Sequence, residues 1–112
     1  MKSIPMTDGS GWFDEDKAIV FNEDTWHDGR NHISTATGSQ WDHEALYYTK
    51  SGNWVLNCWS NYQGTAESYG PVSAEDAAAW LIQNSRLDGK QFAKLPESVR
   101  LAVNETVDAV EV

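Results

Sequence analysis

The chain has 112 residues, 40% apolar and 22% charged, with six Trp, four Tyr and three Phe; it is too aromatic for a disordered tail and long enough for one small core. Seventeen acids against eight Lys and Arg give a formal charge of −9, which repels phosphate backbones and argues against direct binding of nucleic acid. Cys58 is the only cysteine, so an internal disulfide and a four-Cys zinc site are excluded and a reducing, cytoplasmic setting is expected.

Residues 1–11 are polar and Gly-bearing and read as an arm, flexible unless Trp12 and Phe13 pack. Asp14, Glu15 and Asp16 form an acidic turn before the β-branched and aromatic run Lys17 to Phe21, which suits a short strand. From Thr25 to Ser34 the pattern is an irregular loop leading into a short extended piece, with a turn signal at Asp28-Gly29. Two further strand candidates are Glu44 to Thr49 and Asn53 to Ser60, joined through Lys50-Ser51-Gly52-Asn53 as a hairpin. On the second, Trp54, Leu56 and Cys58 share one face and should meet the core, while Val55, Asn57 and Trp59 share the other. Gln63-Gly64 signals another turn, and Glu67-Ser68-Tyr69 is a third strand that Gly70-Pro71 should end. Ser73 is placed to cap a helix running to about Asn84, with Glu75 and Asp76 suiting its positive end and Ala77, Trp80 and Leu81 on one stripe. After a loop containing Asp88-Gly89, Pro96-Glu97 opens a last helix whose core stripe is Val99, Val103, Val107 and Val110. The expected architecture is therefore α+β: an antiparallel β-meander of three to five strands packed with two C-terminal helices, in a single domain over residues 1–112. No stretch approaches the roughly 20 apolar residues of a membrane span, so no membrane is expected.

An ordered series of segments resembles a group of small bacterial and mobile-element proteins without an established activity. The segments are Asp28 to Ser34, Thr37-Gly38-Ser39-Gln40-Trp41, Gly52-Asn53-Trp54-Val55-Leu56 and Ala77-Ala78-Ala79-Trp80-Leu81, within Trp26 to Asn84. The resemblance implies a prokaryotic or phage setting, in which small acidic proteins serve as inhibitors of host-defence nucleases. It carries over no catalytic residue.

Three sets of side chains bear on function. Residues 1–28 hold seven acids and two bases, so Asp14, Glu15, Asp16, Glu23 and Asp24 form a patch able to imitate a row of phosphates toward a basic protein groove. Six Trp exceed what one core of this size requires, and Trp41, Trp59 and Tyr62 suit a contact surface, unless the N-terminal segment covers that sheet face as a second core. These eight residues are the expected binding site, and a protein partner with a basic surface is the expected ligand. The sharpest form of this expectation is an inhibitor of a host-defence, CRISPR-type nucleic-acid-handling complex. His27, Asp28, His32 and His43 offer an alternative, a small metal-assisted or acid–base hydrolase, and a homodimer formed through the aromatic sheet face is a third reading. No cofactor and no metal are expected, because the glycines make no phosphate loop and the histidine spacing does not suit one helix face.

Overall fold

The computed structural model describes all residues except Tyr62, Gln63, Thr65, Ser85, Asp88 and Gly89, together with the side chains of Lys90 and Gln91. The turn expected at Gln63-Gly64 and the loop at Asp88-Gly89 thus lie partly or wholly outside the described residues. Among the described residues eight strands are formed: β1 (Ser3–Pro5), β2 (Trp12–Asp14), β3 (Ile19–Asn22), β4 (Thr25–His27), β5 (His32–Ser34), β6 (Asp42–Tyr48), β7 (Trp54–Ser60) and β8 (Ser68–Val72). Three helices follow, α1 (Ala74–Gln83), the four-residue α2 (Lys90–Ala93) and α3 (Glu97–Asp108). The fold is α+β, and its centre is an antiparallel sheet of order β3-β6-β7-β8. The meander β6-β7-β8 is the one expected, and β3 adds a fourth strand along β6.

Strand alternation gives this sheet two apolar faces, and each is covered. On one face Leu46 and Trp54, with Phe21 from β3, pack beneath Ala77, Trp80 and Leu81 of α1 and Val103 of α3. On the other, Ala45, Tyr47 and Val55 pack beneath Ile4 of β1 and Phe13 of β2. The N-terminal segment read as an arm therefore carries a strand: Ile4 pairs with Phe13 across a two-stranded antiparallel hairpin, and both side chains are buried. Apolar alternation in β2, with Phe13 inward and Trp12 outward, drives this docking. Asn57, buried on this second face, is satisfied because its Nδ2 donates to Glu67 Oε1 at 3.0 Å and to the Ser68 carbonyl at 3.1 Å.

Two further elements differ from expectation. Residues 25–34 form the hairpin β4–β5 rather than an irregular loop, closed by Asp28, whose Oδ1 accepts from the backbone N–H groups of Arg30 and Asn31 at 2.8 Å each. Strand β8 runs through Gly70-Pro71 instead of ending there. Tyr69 turns its backbone groups outward, its N–H donating to Thr7 Oγ1 at 2.7 Å and its carbonyl accepting from the Thr7 N–H at 2.9 Å. Pro71, two residues on, faces the same outer edge, where its missing N–H costs no ladder bond.

Helix α1 starts and stops as its residues dictate, whereas α3 ends at Asp108 and leaves Val110 of the expected stripe beyond it. Ser73 Oγ accepts from the Asp76 N–H at 3.1 Å, capping α1. Asn84, buried at its end, donates from Nδ2 to the Trp80 carbonyl at 2.8 Å and accepts the Asp24 N–H at 3.0 Å, tying the helix to the segment after β3. In the β6–β7 turn Gly52 has φ +85° and donates to the Thr49 carbonyl at 2.9 Å. An L side chain is strained at such a φ, so Gly52→Ala should lower stability by about 1–2 kcal/mol, read as a drop in the thermal midpoint.

Candidate functional site

The open end of the β6–β7 hairpin, opposite its turn, gathers the densest set of polar side chains. Its pivot is Glu23, the residue after β3, whose side chain is only 8% exposed. Because Asn22 pairs with Ala45, Glu23 arrives beside the start of β6. Its Oε1 accepts from His43 Nδ1 at 2.8 Å and from the Glu44 N–H at 3.1 Å. A carboxylate only accepts, so Nδ1 carries the imidazole proton and Nε2 is left as acceptor for Asn61 Nδ2 at 3.1 Å. The ring stacks on Trp59, its cross-strand neighbour, with centroids 5.6 Å apart and planes inclined at 28°. His43 is thus fixed in tautomer and orientation.

Glu44 projects to the opposite, helix-bearing face. Its Oε1 accepts from Trp80 Nε1 at 3.2 Å, and its Oε2 accepts from the Cys58 thiol directly across the strand pair at 3.7 Å. Burial, and then the neighbouring Glu44 charge, push the Cys58 thiol above its ordinary range. The thiolate needed for nucleophilic chemistry is therefore disfavoured. At pH 8, Cys58 should react with iodoacetamide more slowly than a free cysteine followed under the same conditions, and Glu44→Gln should speed the reaction.

These side chains rim a cavity of about 330 Å³ whose walls include Asp42, His43, Glu44, Cys58, Trp59 and Ser60. Two acidic residues, Asp42 and Glu44, are among those lining it, and neither Lys nor Arg is among the described residues that do. Trp41, next in sequence to Asp42, is 42% exposed, and its carbonyl accepts the Asn61 N–H at 2.9 Å, holding it at this end of the sheet.

The chain matches no family model, no curated protein and no solved structure.

The eight residues expected to bind separate in space. Trp59 lines the cavity just described and Trp41 directly precedes Asp42, which also lines it, while Tyr62 is outside the described residues. Asp14, Glu15 and Asp16 sit at the other end of the sheet, before β3, whose Ile19 pairs with Tyr48 at the far end of β6. There the run is partly neutralised: Asp14 caps a short 3₁₀ turn, Glu15 pairs with Lys2 at 3.4 Å, and Asp16 lies 3.5 Å from the N-terminal amine. Glu23 belongs inside the molecule with His43, not on an acidic face. Asp24 stands nearby, 3.9 Å from Arg86, whose guanidinium donates to the Glu23 carbonyl at 2.6 Å.

The histidines do not assemble either. His27 and His32 face one another across β4–β5 with ring centroids 5.0 Å apart, but His27 Nδ1 accepts the Gly29 N–H and Asp28 is occupied in closing the turn. His43 belongs to the central sheet and Glu23. Among the described residues no group of three His, Cys, Asp or Glu is disposed to hold a metal ion. The Glu23–His43 pair was missed at the sequence level, since its members are twenty residues apart and meet only through the β3–β6 register.

Proposed function

We propose that this chain is a non-enzymatic protein-binding domain whose partner presents a basic surface, and that the open end of the β6–β7 hairpin receives a Lys or Arg side chain of that partner. The observation that carries this reading is the cavity lined by the acidic residues Asp42 and Glu44, with no Lys or Arg among its described lining residues. A guanidinium or ammonium entering there finds the Asp42 carboxylate as an acceptor and no competing cation among the described lining residues. Trp41 extends the contact beside the cavity, as interface anchors do. The formal charge of −9 speeds encounter with a positive partner. In its sharpest form the partner is a nucleic-acid-handling complex of a host-defence system, whose basic groove an acidic domain occupies in place of phosphate.

The test is capture from a prokaryotic host lysate at low salt, comparing the immobilised chain with Asp42→Lys and Trp41→Ala. A protein retained by the chain and released from both variants is expected, with binding weakened at least about tenfold by Asp42→Lys. Identical capture by all three, or none, would end the proposal.

A further inference from the structure

The turn end of the β6–β7 hairpin has the opposite character. Between the β1–β2 hairpin and residues 49–53 lies a cavity of about 580 Å³, within the size range of small-molecule sites. Trp54, Val55 and Val72 of the central sheet are among its lining residues, and Trp12 lines it from β2 with 59% of its own surface still open to solvent. Strand alternation explains that exposure, because Phe13 takes the inward position and leaves Trp12 facing out. An indole left so open contributes nothing to either core, yet it stands ready to cover the face of a flat ligand.

Charge selects the kind of ligand. Lys17 and Lys50 both line this cavity, and no ion pair holds either of them among the described residues, although acids outnumber bases by two to one in this chain. Lys2 and the N-terminal amine, close by in sequence, are paired. Asp14 is the one carboxylate among the described lining residues, and its Oδ1 is engaged by the backbone N–H groups of Lys2 at 3.2 Å and Asp16 at 3.1 Å. Six residue steps of β6 separate this place from the acidic cavity, about 20 Å at roughly 3.4 Å per residue, so the two are independent.

We infer that the cavity at the hairpin turn binds a small, flat organic anion, an aromatic carboxylate or sulfonate, with its ring against Trp12 and its anionic group held by Lys17 and Lys50. The site is distinct from the partner-binding cavity and does not rest on that reading. Because the molecule as a whole repels anions, affinity has to come from the two local ammonium groups and from apolar contact together.

The experiment titrates the full chain with anilinonaphthalenesulfonate and with phenylnaphthylamine, its counterpart lacking the sulfonate. Saturable binding of the anionic probe with one-to-one stoichiometry is expected, and the neutral probe should bind at least about tenfold more weakly. The double variant Lys17→Gln/Lys50→Gln should lower affinity for the anionic probe by about tenfold or more and leave the neutral probe unaffected, while Trp12→Ala should weaken both. Asp42→Lys, at the opposite end, should change neither. All three side chains are exposed, so thermal midpoints should match that of the parent chain, and Trp12→Phe replaces Trp12→Ala if that variant unfolds early. Absence of saturable binding, equal binding of both probes, or an unchanged affinity in the double lysine variant would each overturn the inference.

Discussion

Trp80→Ala is expected to lower the free energy of unfolding by about 3–5 kcal/mol, measured by urea denaturation. Trp80 is 7% exposed and packs in the cluster formed by Phe21, Leu46, Trp54, Leu81 and Val103, where α1, α3 and the sheet all meet. Removing the indole opens a large void and withdraws the N–H that Glu44 Oε1 accepts. Domains of this size are stable by about 5–15 kcal/mol, so this one change removes at least about a fifth of the total. Trp80→Phe separates the two losses: it keeps most of the apolar volume and forfeits the hydrogen bond, for a cost of about 1–2 kcal/mol. A loss below about 1 kcal/mol for Trp80→Ala would show that α1 is not held to the sheet as described.

The second large effect is expected at His43. Its Nδ1–H is one of two donors to a carboxylate that is almost wholly enclosed, and Glu23 Oε2 has no partner of its own among the described residues. His43→Ala removes one of the two hydrogen bonds to the enclosed carboxylate, at a cost of about 2–3 kcal/mol, because a bond to a carboxylate is worth more than one between neutral groups. The stack on Trp59 goes as well. Glu23→Gln should cost less, since the amide keeps an acceptor for the Glu44 N–H and brings no charge inward. The double change Glu23→Gln/His43→Ala is then expected to be less destabilising than the sum of the two singles, and strict additivity would deny the coupling.

Much of the architecture could be read from local pattern. The alternation in β7, the Gly-bearing turn before it and the Ser73 cap each follow from side chains within a few residues, and the structure places them as those rules require. What escaped depends on pairing between distant segments. Thr25-Trp26-His27 and His32-Ile33-Ser34 are three-residue strands with polar sequences, too short to show a period, and only the Asp28 turn reveals the hairpin. Pro71 reads as a terminator because a lone sequence does not say which side of a strand faces outward. Glu23 was grouped with an acidic run by proximity in the chain, whereas the β3–β6 register carries it inward to His43. Trp12 and Trp26, exposed by 59% and 53%, were not among the aromatics singled out for binding. The signal that would have raised Trp12 was available in its alternation with Phe13.

The outer margin of β8 has a bearing on how this molecule meets others. A bare sheet border invites a foreign chain to extend the sheet, which is how pilins add strands and how fibrils begin. Here Thr7 already occupies the outward groups of Tyr69, and Pro71 offers no donor at the next outward position. Strand addition along this border is disfavoured, and a chain that met it would have to be recognised by side chains instead of by backbone. Replacing Pro71 with Val would restore the missing donor and so supplies a direct gauge of how far that protection matters.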